Sequence, residues 1–129
     1  MDKKKVDELL PKAYEVIHDN NVICRDGRSV DKAFRGQIST LGAAIINGST
    51  LAAVAFFSRK GQAAVDRTQL LRCVEKLLGL SDGSIFAHIR DCGQSAQSRQ
   101  ECREEVLNAV IALKLALNLF DLKEKKNNG

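Results

Sequence analysis

The sequence has little of what β-sheet proteins usually contain. Among its 129 residues there are one proline, one tyrosine, five phenylalanines and no tryptophan. Strands are usually bounded by turn residues and enriched in aromatic and β-branched side chains, so this composition predicts an all-α protein. A chain of 129 residues, 44% of them hydrophobic, is long enough to form one compact core and too short to form two. We therefore expect a single domain over residues 1–129, a bundle of about five to six helices.

The cysteines show no pattern typical of a disulfide framework or a zinc motif. None belongs to a Cys-x-x-Cys pair, and no charged and apolar leader opens the chain. We therefore expect reduced, packed thiols in the cytoplasm. The four are Cys24, Cys73, Cys92 and Cys102. His88, Cys92 and Cys102 have the spacing His-x3-Cys-x9-Cys, which matches no compact zinc motif, so the sequence predicts no metal site and no cofactor.

One long stretch, residues 36–58, has no charged side chain, although the whole chain is 28% charged. Its two apolar halves have three-and-four spacing and meet at residues 47–50, Asn-Gly-Ser-Thr. This pattern predicts two helices that meet at a tight corner. A membrane span is the alternative interpretation. Polar side chains and a glycine break inside the stretch disfavour a span, so we expect it to lie at the centre of the core.

Hydrophobic spacing predicts further helices along the chain. They cover about residues 6–20, 29–46, 49–60, 63–78 and 85–89, with a long helix from about residue 101 to residue 122. Pro11 either kinks the first helix or marks its first turn, and Gly79 ends the fourth. The last helix is apolar over a wide arc, which is typical of a helix that packs on two neighbours or at a subunit contact.

Basic residues are concentrated in the middle of the chain. The net charge is −1 over residues 1–24, +5 over residues 25–76 and 0 over residues 77–129. A basic face of this kind suits a phosphate backbone, and an ordinary local imbalance of surface charge is the alternative. The candidate contacts are Arg35, Arg59, Lys60, Arg67 and Arg72.

No catalytic constellation emerges from the polar residues. Three glutamates, Glu101, Glu104 and Glu105, open the predicted last helix, where the helix dipole favours acids. No glycine-rich loop with a following Lys-Ser or Lys-Thr is present to hold phosphate. A pairing of His with Cys is expected by chance from four cysteines and two histidines. We therefore do not expect an enzyme.

A set of apolar motifs gives the chain a family resemblance. Residues 41–48, Leu-Gly-Ala-Ala-Ile-Ile-Asn-Gly, precede residues 51–56, Leu-Ala-Ala-Val-Ala-Phe. Tyr14 in the first helix, residues 109–113 (Ala-Val-Ile-Ala-Leu), Leu117 and Phe120 extend the pattern. Over about half its length, the chain thus resembles the small all-helical subunit of the Cmr complex, the type III-B CRISPR effector. It departs from that family in having Asn118-Leu119 where the family often has a Trp and a basic pair.

The resemblance implies a non-catalytic subunit of an RNA-guided antiviral complex. Several copies would stack along the backbone subunit and face the groove where guide RNA pairs with target RNA. Basic side chains would then hold the RNA backbone while base pairing reads the sequence. Leu115, Leu119 and Leu122 would form a contact between copies, or else belong to the intramolecular core. The alternatives are the small subunit of the related type III-A complex, an adaptor that binds only protein, and a small DNA-binding regulator, for which residues 59–72 offer few base-reading side chains.

Overall fold

The computed structural model describes residues 2–20, 26–58 and 67–123. Within these ranges the helices are α1 (Lys3–Asp19), α2 (Lys32–Asn47), α3 (Thr50–Phe57), α4 (Arg67–Leu78), α5 (Ile85–Asp91) and α6 (Ala96–Ala116). Two three-residue strands, β1 (Ser29–Asp31) and β2 (Asp121–Lys123), complete the described elements, with a 3-10 turn over Leu117–Leu119. The predicted all-α bundle is confirmed. No helix in the described ranges combines the length and the apolar character that crossing a membrane requires.

The centre of the fold is α6. It packs on α1, α2 and α4. Its buried apolar side chains are Cys102, Val106, Leu107, Ala109, Val110, Ala112, Leu113 and Ala116. Burial of one such Val or Leu side chain contributes about 1.5–3 kcal/mol, so α6 supplies much of the stabilisation of the bundle. The wide apolar arc predicted for this helix therefore serves three neighbouring helices.

The uncharged stretch over residues 36–58 is less central than predicted. One face of α2 is fully buried through Ile38, Leu41 and Ile45. Ile46 and Phe56 remain 55% and 58% exposed, however. The prediction that this stretch forms the centre of the core is therefore wrong in part, because α2 and α3 each turn one side to solvent, and in α3 that side includes the apolar Phe56.

The corner between α2 and α3 agrees with the prediction. Ser49 caps the start of α3, and its hydroxyl accepts a hydrogen bond from the Ala52 amide at 3.2 Å. α4 ends as predicted at Gly79, which has a φ of +72°, a left-handed conformation that suits glycine. Pro11 lies inside α1 and not in its first turn, because Asp2 caps that helix nine residues earlier.

Four predicted helix boundaries are wrong, the first being the end of α3, which lies at Phe57 and not near residue 60. α2 begins at Lys32 and not at residue 29, since Ser29–Asp31 forms a strand and the Asp31 carboxylate caps the helix through the Ala33 amide at 2.9 Å. α6 begins at Ala96, inside the polar stretch, because the Ser95 hydroxyl accepts from the Ser98 amide at 3.0 Å. It also ends at Ala116 and not near residue 122, where the chain turns into β2.

The strands β1 and β2 pair in parallel and were not predicted. Val30 lies opposite Leu122 in this ladder. Beside the ladder, the Asp26 carboxylate accepts hydrogen bonds from the Lys123 ammonium at 2.7 Å and from the Ser29 hydroxyl at 2.5 Å. The Lys123 contact, followed by the Ser29 hydroxyl and the amides of Arg28 and Ser29, holds the pKa of Asp26 well below its usual range. Asp26 thus ties the start of β1 to the end of β2.

We expect this carboxylate to contribute a pH-dependent part of the stability. Because its folded-state pKa is lowered, the contribution is present above the ordinary value of 3.8 and is lost progressively as the pH falls below it. Asp26→Asn should therefore lower the thermal midpoint at neutral pH, and its difference from the parent chain should shrink below about pH 4. Thermal unfolding across this range measures the effect. Asp82→Asn, at an exposed turn position, is the control, and a constant difference at all pH values would contradict the assignment.

Candidate nucleic-acid interface

The five predicted RNA contacts do not form a single cluster in the described part of the chain. Arg59 and Lys60 lie outside the described residues. Arg35, Arg67 and Arg72 lie inside them, and each has a different environment. The structure therefore separates these three arginines.

Arg72 is held by the fold. Its guanidinium donates to the Glu75 carboxylate at 2.7 Å, and the Glu75 side chain is fully buried. The second Glu75 oxygen accepts from the Ile85 amide at 2.9 Å, at the start of α5. Arg72 thus neutralises a buried carboxylate that joins α4 to α5. This role in the fold makes it a poor candidate for RNA contact.

Arg67 lies against an exposed aromatic ring. Its guanidinium carbon is 5.0 Å from the centre of the Phe56 ring, a cation–π geometry. Both residues line a shallow groove of about 360 Å³ together with Gly36 and Thr40 of α2. An exposed aromatic ring beside an arginine is the combination on which unpaired bases stack while the cation meets phosphate. This surface, the Phe56 groove, is one candidate contact.

Arg35 is exposed on a different side of α2. It lies seven residues before Gly42, which places the two on the same helical face. A Cβ atom at Gly42 would lie 3.6 Å from Val110 of α6, so this face borders α6. The Phe56 groove is formed by other positions of α2, among them Gly36 and Thr40. Arg35 and Arg67 therefore flank α2 on different sides.

A second groove, which the sequence did not predict, lies at the corner between α2 and α3. It has a volume of about 440 Å³ and contains no acidic residue. Its polar lining comprises Ser49, Thr50, Arg90, Arg99, Gln100 and Arg103. The first turn of α3 contributes to the lining, so the positive end of that helix dipole adds to the charge of the three guanidinium groups. We call this surface the arginine groove.

The three arginines differ in how they are held. Arg103 donates to the main-chain carbonyls of Ile45 at 3.4 Å and Ile46 at 3.3 Å, which fixes it over the end of α2. Arg90 pairs with the adjacent Asp91 at 2.9 Å, a contact that raises the pKa of Arg90 and lowers that of Asp91. The Arg99 residue is exposed, and its guanidinium makes no hydrogen bond or ion pair within the described ranges. One arginine is therefore anchored, one is held by an exposed pair of little energetic value, and one is available to a ligand.

The arginines and the glutamates of α6 line different grooves, although one long ion pair, between Arg103 and Glu104 at 3.8 Å, joins the two sets. Glu101, Glu104 and Glu105 line a different groove, between α6 and the helices α1 and α4. Arg99 and Arg103, four residues apart and thus on one helical face, line the arginine groove. The net charge of zero over residues 77–129 concealed this separation. Placing the start of the helix at Ser95 would have revealed it, because the two arginines and the three glutamates then fall on opposite faces.

Next to the arginine groove, the structure brings together three potential metal ligands from α5, its C-terminal cap and α6. The ligand atoms of His88, Cys92 and Cys102 all lie within 4.8 Å of one another. Burial, reinforced by the hydrogen bond with Cys92, raises the pKa of the Cys102 thiol to about 12. The Glu105 carboxylate lies 3.0 Å from His88 Nε2. Cys73 and Cys102 are buried free thiols, Cys92 is a partly buried one, and Cys24 lies outside the described residues.

Comparison with known proteins adds no assignment. No family model, no curated protein and no solved structure matches the chain. The two grooves and the family resemblance of the apolar motifs are thus the observations that bear on function.

Proposed function

We propose that this chain is a non-catalytic, helical RNA-binding domain that holds the sugar-phosphate backbone of RNA. The observation that carries the proposal is the arginine groove, where Arg90, Arg99 and Arg103 surround a cleft without any acidic residue. Guanidinium groups bind phosphate through paired N–H donors, and their charge favours an anionic backbone without regard to base sequence.

The Phe56 groove supports the same proposal from a second position. It lies at the C-terminal end of α3, whereas the arginine groove lies at the N-terminal end. Eight residues of helix separate the two ends, about 12 Å at the usual helical rise. A single-stranded segment could thus meet arginines at one end of α3 and an exposed aromatic ring at the other. The proposed contacts are Arg90, Arg99, Arg103 and Arg67, and Arg59 and Lys60 stay predictions from the sequence.

More specifically, we propose that the chain is the small subunit of a type III-B CRISPR effector. The motifs that carry the resemblance include the Gly48 corner, and that corner lines the arginine groove. The surface available to RNA and the segment that resembles the family therefore coincide. In this proposal the backbone subunit, the guide RNA and the target RNA are the partners, and cleavage belongs to a neighbouring subunit.

The proposed contact between copies has support in the exposure of the last helix and its end. Leu115 and Leu119 are 43% and 63% exposed, so they are not core residues within this chain. Leu119 also lines an open surface with Leu10, Pro11 and Tyr14 of α1. Leu122 is only partly exposed and packs against the core. We propose that Leu115 and Leu119 face the next copy in the complex.

The test is purification of the tagged chain from its native host at low salt. We expect a backbone subunit and a short nuclease-protected RNA of uniform 5′ end to co-elute, with more than one copy of this chain in the complex by native mass spectrometry. Recovery of protein partners without RNA would favour the adaptor. Recovery of a dimer that prefers duplex DNA would favour the regulator, and a backbone subunit of the type III-A complex would reassign the chain to that effector.

A further inference from the structure

We propose that His88, Cys92 and Cys102 form a zinc site that fastens α5 to α6. Their ligand atoms, one imidazole nitrogen and two sulfurs, lie within 4.8 Å of one another. Zn²⁺ prefers thiolate and imidazole ligands in a tetrahedron, with bonds of about 2.3 Å to sulfur and 2.0–2.1 Å to nitrogen. Such bonds place ligand atoms about 3.5–3.8 Å apart, so small side-chain rotations close the site.

Two pairs of residues, one pair on each helix, form the site and its surroundings. His88 and Cys92 are four residues apart at the end of α5, and Cys102 and Glu105 are three residues apart on α6. Residues three or four apart share a helical face, so α5 presents two metal donors and α6 presents one donor, Cys102, beside the Glu105 carboxylate that contacts His88. This arrangement explains why the linear spacing failed to match a compact zinc motif: the site depends on helix packing and not on a loop.

The turn between the helices fixes their relative position. A Cβ atom at Gly93 would lie 2.8 Å from the Ser98 Cβ and 2.9 Å from the Arg99 amide nitrogen. Real side chains do not approach this closely, so α5 and the start of α6 are packed as tightly as glycine permits. A close and well-defined turn keeps the two donor pairs together before any ion binds.

Glu105 orients the His88 ring. Its carboxylate is 3.0 Å from His88 Nε2 and partly exposed. A carboxylate that accepts the second ring N–H of a ligating histidine fixes the orientation of the ring and increases its basicity. When His88 uses its other nitrogen for the metal, Glu105 has this role, and water supplies the fourth ligand. The soft sulfur donors exclude Mg²⁺ and Ca²⁺ as preferred occupants and favour Zn²⁺.

Cobalt substitution tests the proposal on the reduced, metal-free chain of 129 residues. Co²⁺ should give the intense visible absorption of a tetrahedral ion with thiolate charge-transfer bands in the near ultraviolet, at one ion per chain, and Zn²⁺ should displace it. Both His88→Gln and Cys92→Ala should weaken Zn²⁺ binding by about 100-fold or more, and Glu105→Gln by about 10–100-fold. Zn²⁺ should also raise the thermal midpoint of the parent chain and not that of His88→Gln.

Matched variants elsewhere in the chain serve as controls. His18→Gln removes an exposed histidine of α1, and Cys73→Ala removes a buried cysteine of α4. Neither should change Zn²⁺ affinity. His88 and Cys92 are partly exposed, so we expect their variants to fold, and far-ultraviolet circular dichroism checks this. Cys102 is buried, so the test does not use a variant at that position.

Two results would overturn the zinc site. The first is a reduced chain that shows no cobalt bands; if that chain also forms a Cys92–Cys102 disulfide in air, the two cysteines are a redox pair. The second is metal binding that survives both His88→Gln and Cys92→Ala.

Discussion

Replacement of Arg72 by methionine should lower the free energy of unfolding by about 2–4 kcal/mol, which is a large effect for a side chain that is partly exposed. The destabilisation comes from the Glu75 carboxylate, which stays buried after its partner is removed. Glu75 is fully buried and would lose its only described counter-charge. Breaking a fully buried pair costs about 3–5 kcal/mol, and we reduce this figure because Arg72 is 35% exposed and water can partly replace it. Urea unfolding measures the change.

A second substitution separates this mechanism from a simple loss of packing. Glu75→Gln removes the buried charge and keeps an oxygen to accept from the Ile85 amide. The double variant Arg72→Met with Glu75→Gln should therefore be more stable than Arg72→Met alone by about 1 kcal/mol or more.

Arg67→Met in the same helix is the control for Arg72. Its cation–π contact with exposed Phe56 is worth about 0.5–1 kcal/mol. An Arg72→Met variant as stable as the Arg67→Met variant would contradict the role of the buried pair.

Charge reversal in the arginine groove should reduce RNA affinity about 10- to 100-fold at low salt. Arg99→Glu together with Arg90→Glu removes two cations and adds two anions beside the proposed phosphate path. Each lost phosphate contact on a single strand should also reduce the slope of log affinity against log salt by about 0.7. Fluorescence anisotropy of a labelled single-stranded RNA, measured across a salt series, reports both quantities.

A variant of equal charge change elsewhere provides the control. Lys12→Glu with Lys76→Glu alters two exposed lysines that line neither groove, so the net charge falls by the same amount. This control should lower RNA affinity less than the groove variant does, and it should leave the slope of log affinity against log salt nearly unchanged. A groove variant with an unaltered salt slope would remove Arg90 and Arg99 from the interface. The same series on Arg59→Glu with Lys60→Glu tests the contacts predicted from the sequence.

Much of the secondary structure could be predicted, because helix formation depends on local patterns. Three-and-four spacing located α1 to α5, and Ser49 and Gly79 mark ends that were expected from their backbone preferences. Errors arose where a boundary depended on a single hydrogen bond. The cap at Ser95 and the strand at residues 29–31 depend on local geometry and on a partner at residues 121–123, and hydrophobic spacing reports neither.

The candidate sites were predicted less well, because charge counts carry no direction. Arg72 belonged to the basic surplus, yet its guanidinium binds buried Glu75. Arg99 and Arg103 belonged to a segment of zero net charge, yet they line a cleft without acids. The orientation of a side chain around its helix, relative to the neighbouring helices, decides which charges act together.

The sequence by itself determined the helical class, the order of the helices and the α2–α3 corner, since composition, periodicity and turn residues act over a few neighbouring positions. Only the tertiary structure decided that α6 is central, that the arginines of α5 and α6 converge at the corner, and that His88 and Cys92 meet Cys102. These features join residues across helix packing contacts, and packing depends on the burial of all the apolar faces together. The proposed functional surfaces of this protein therefore arise from its packing and not from any local motif.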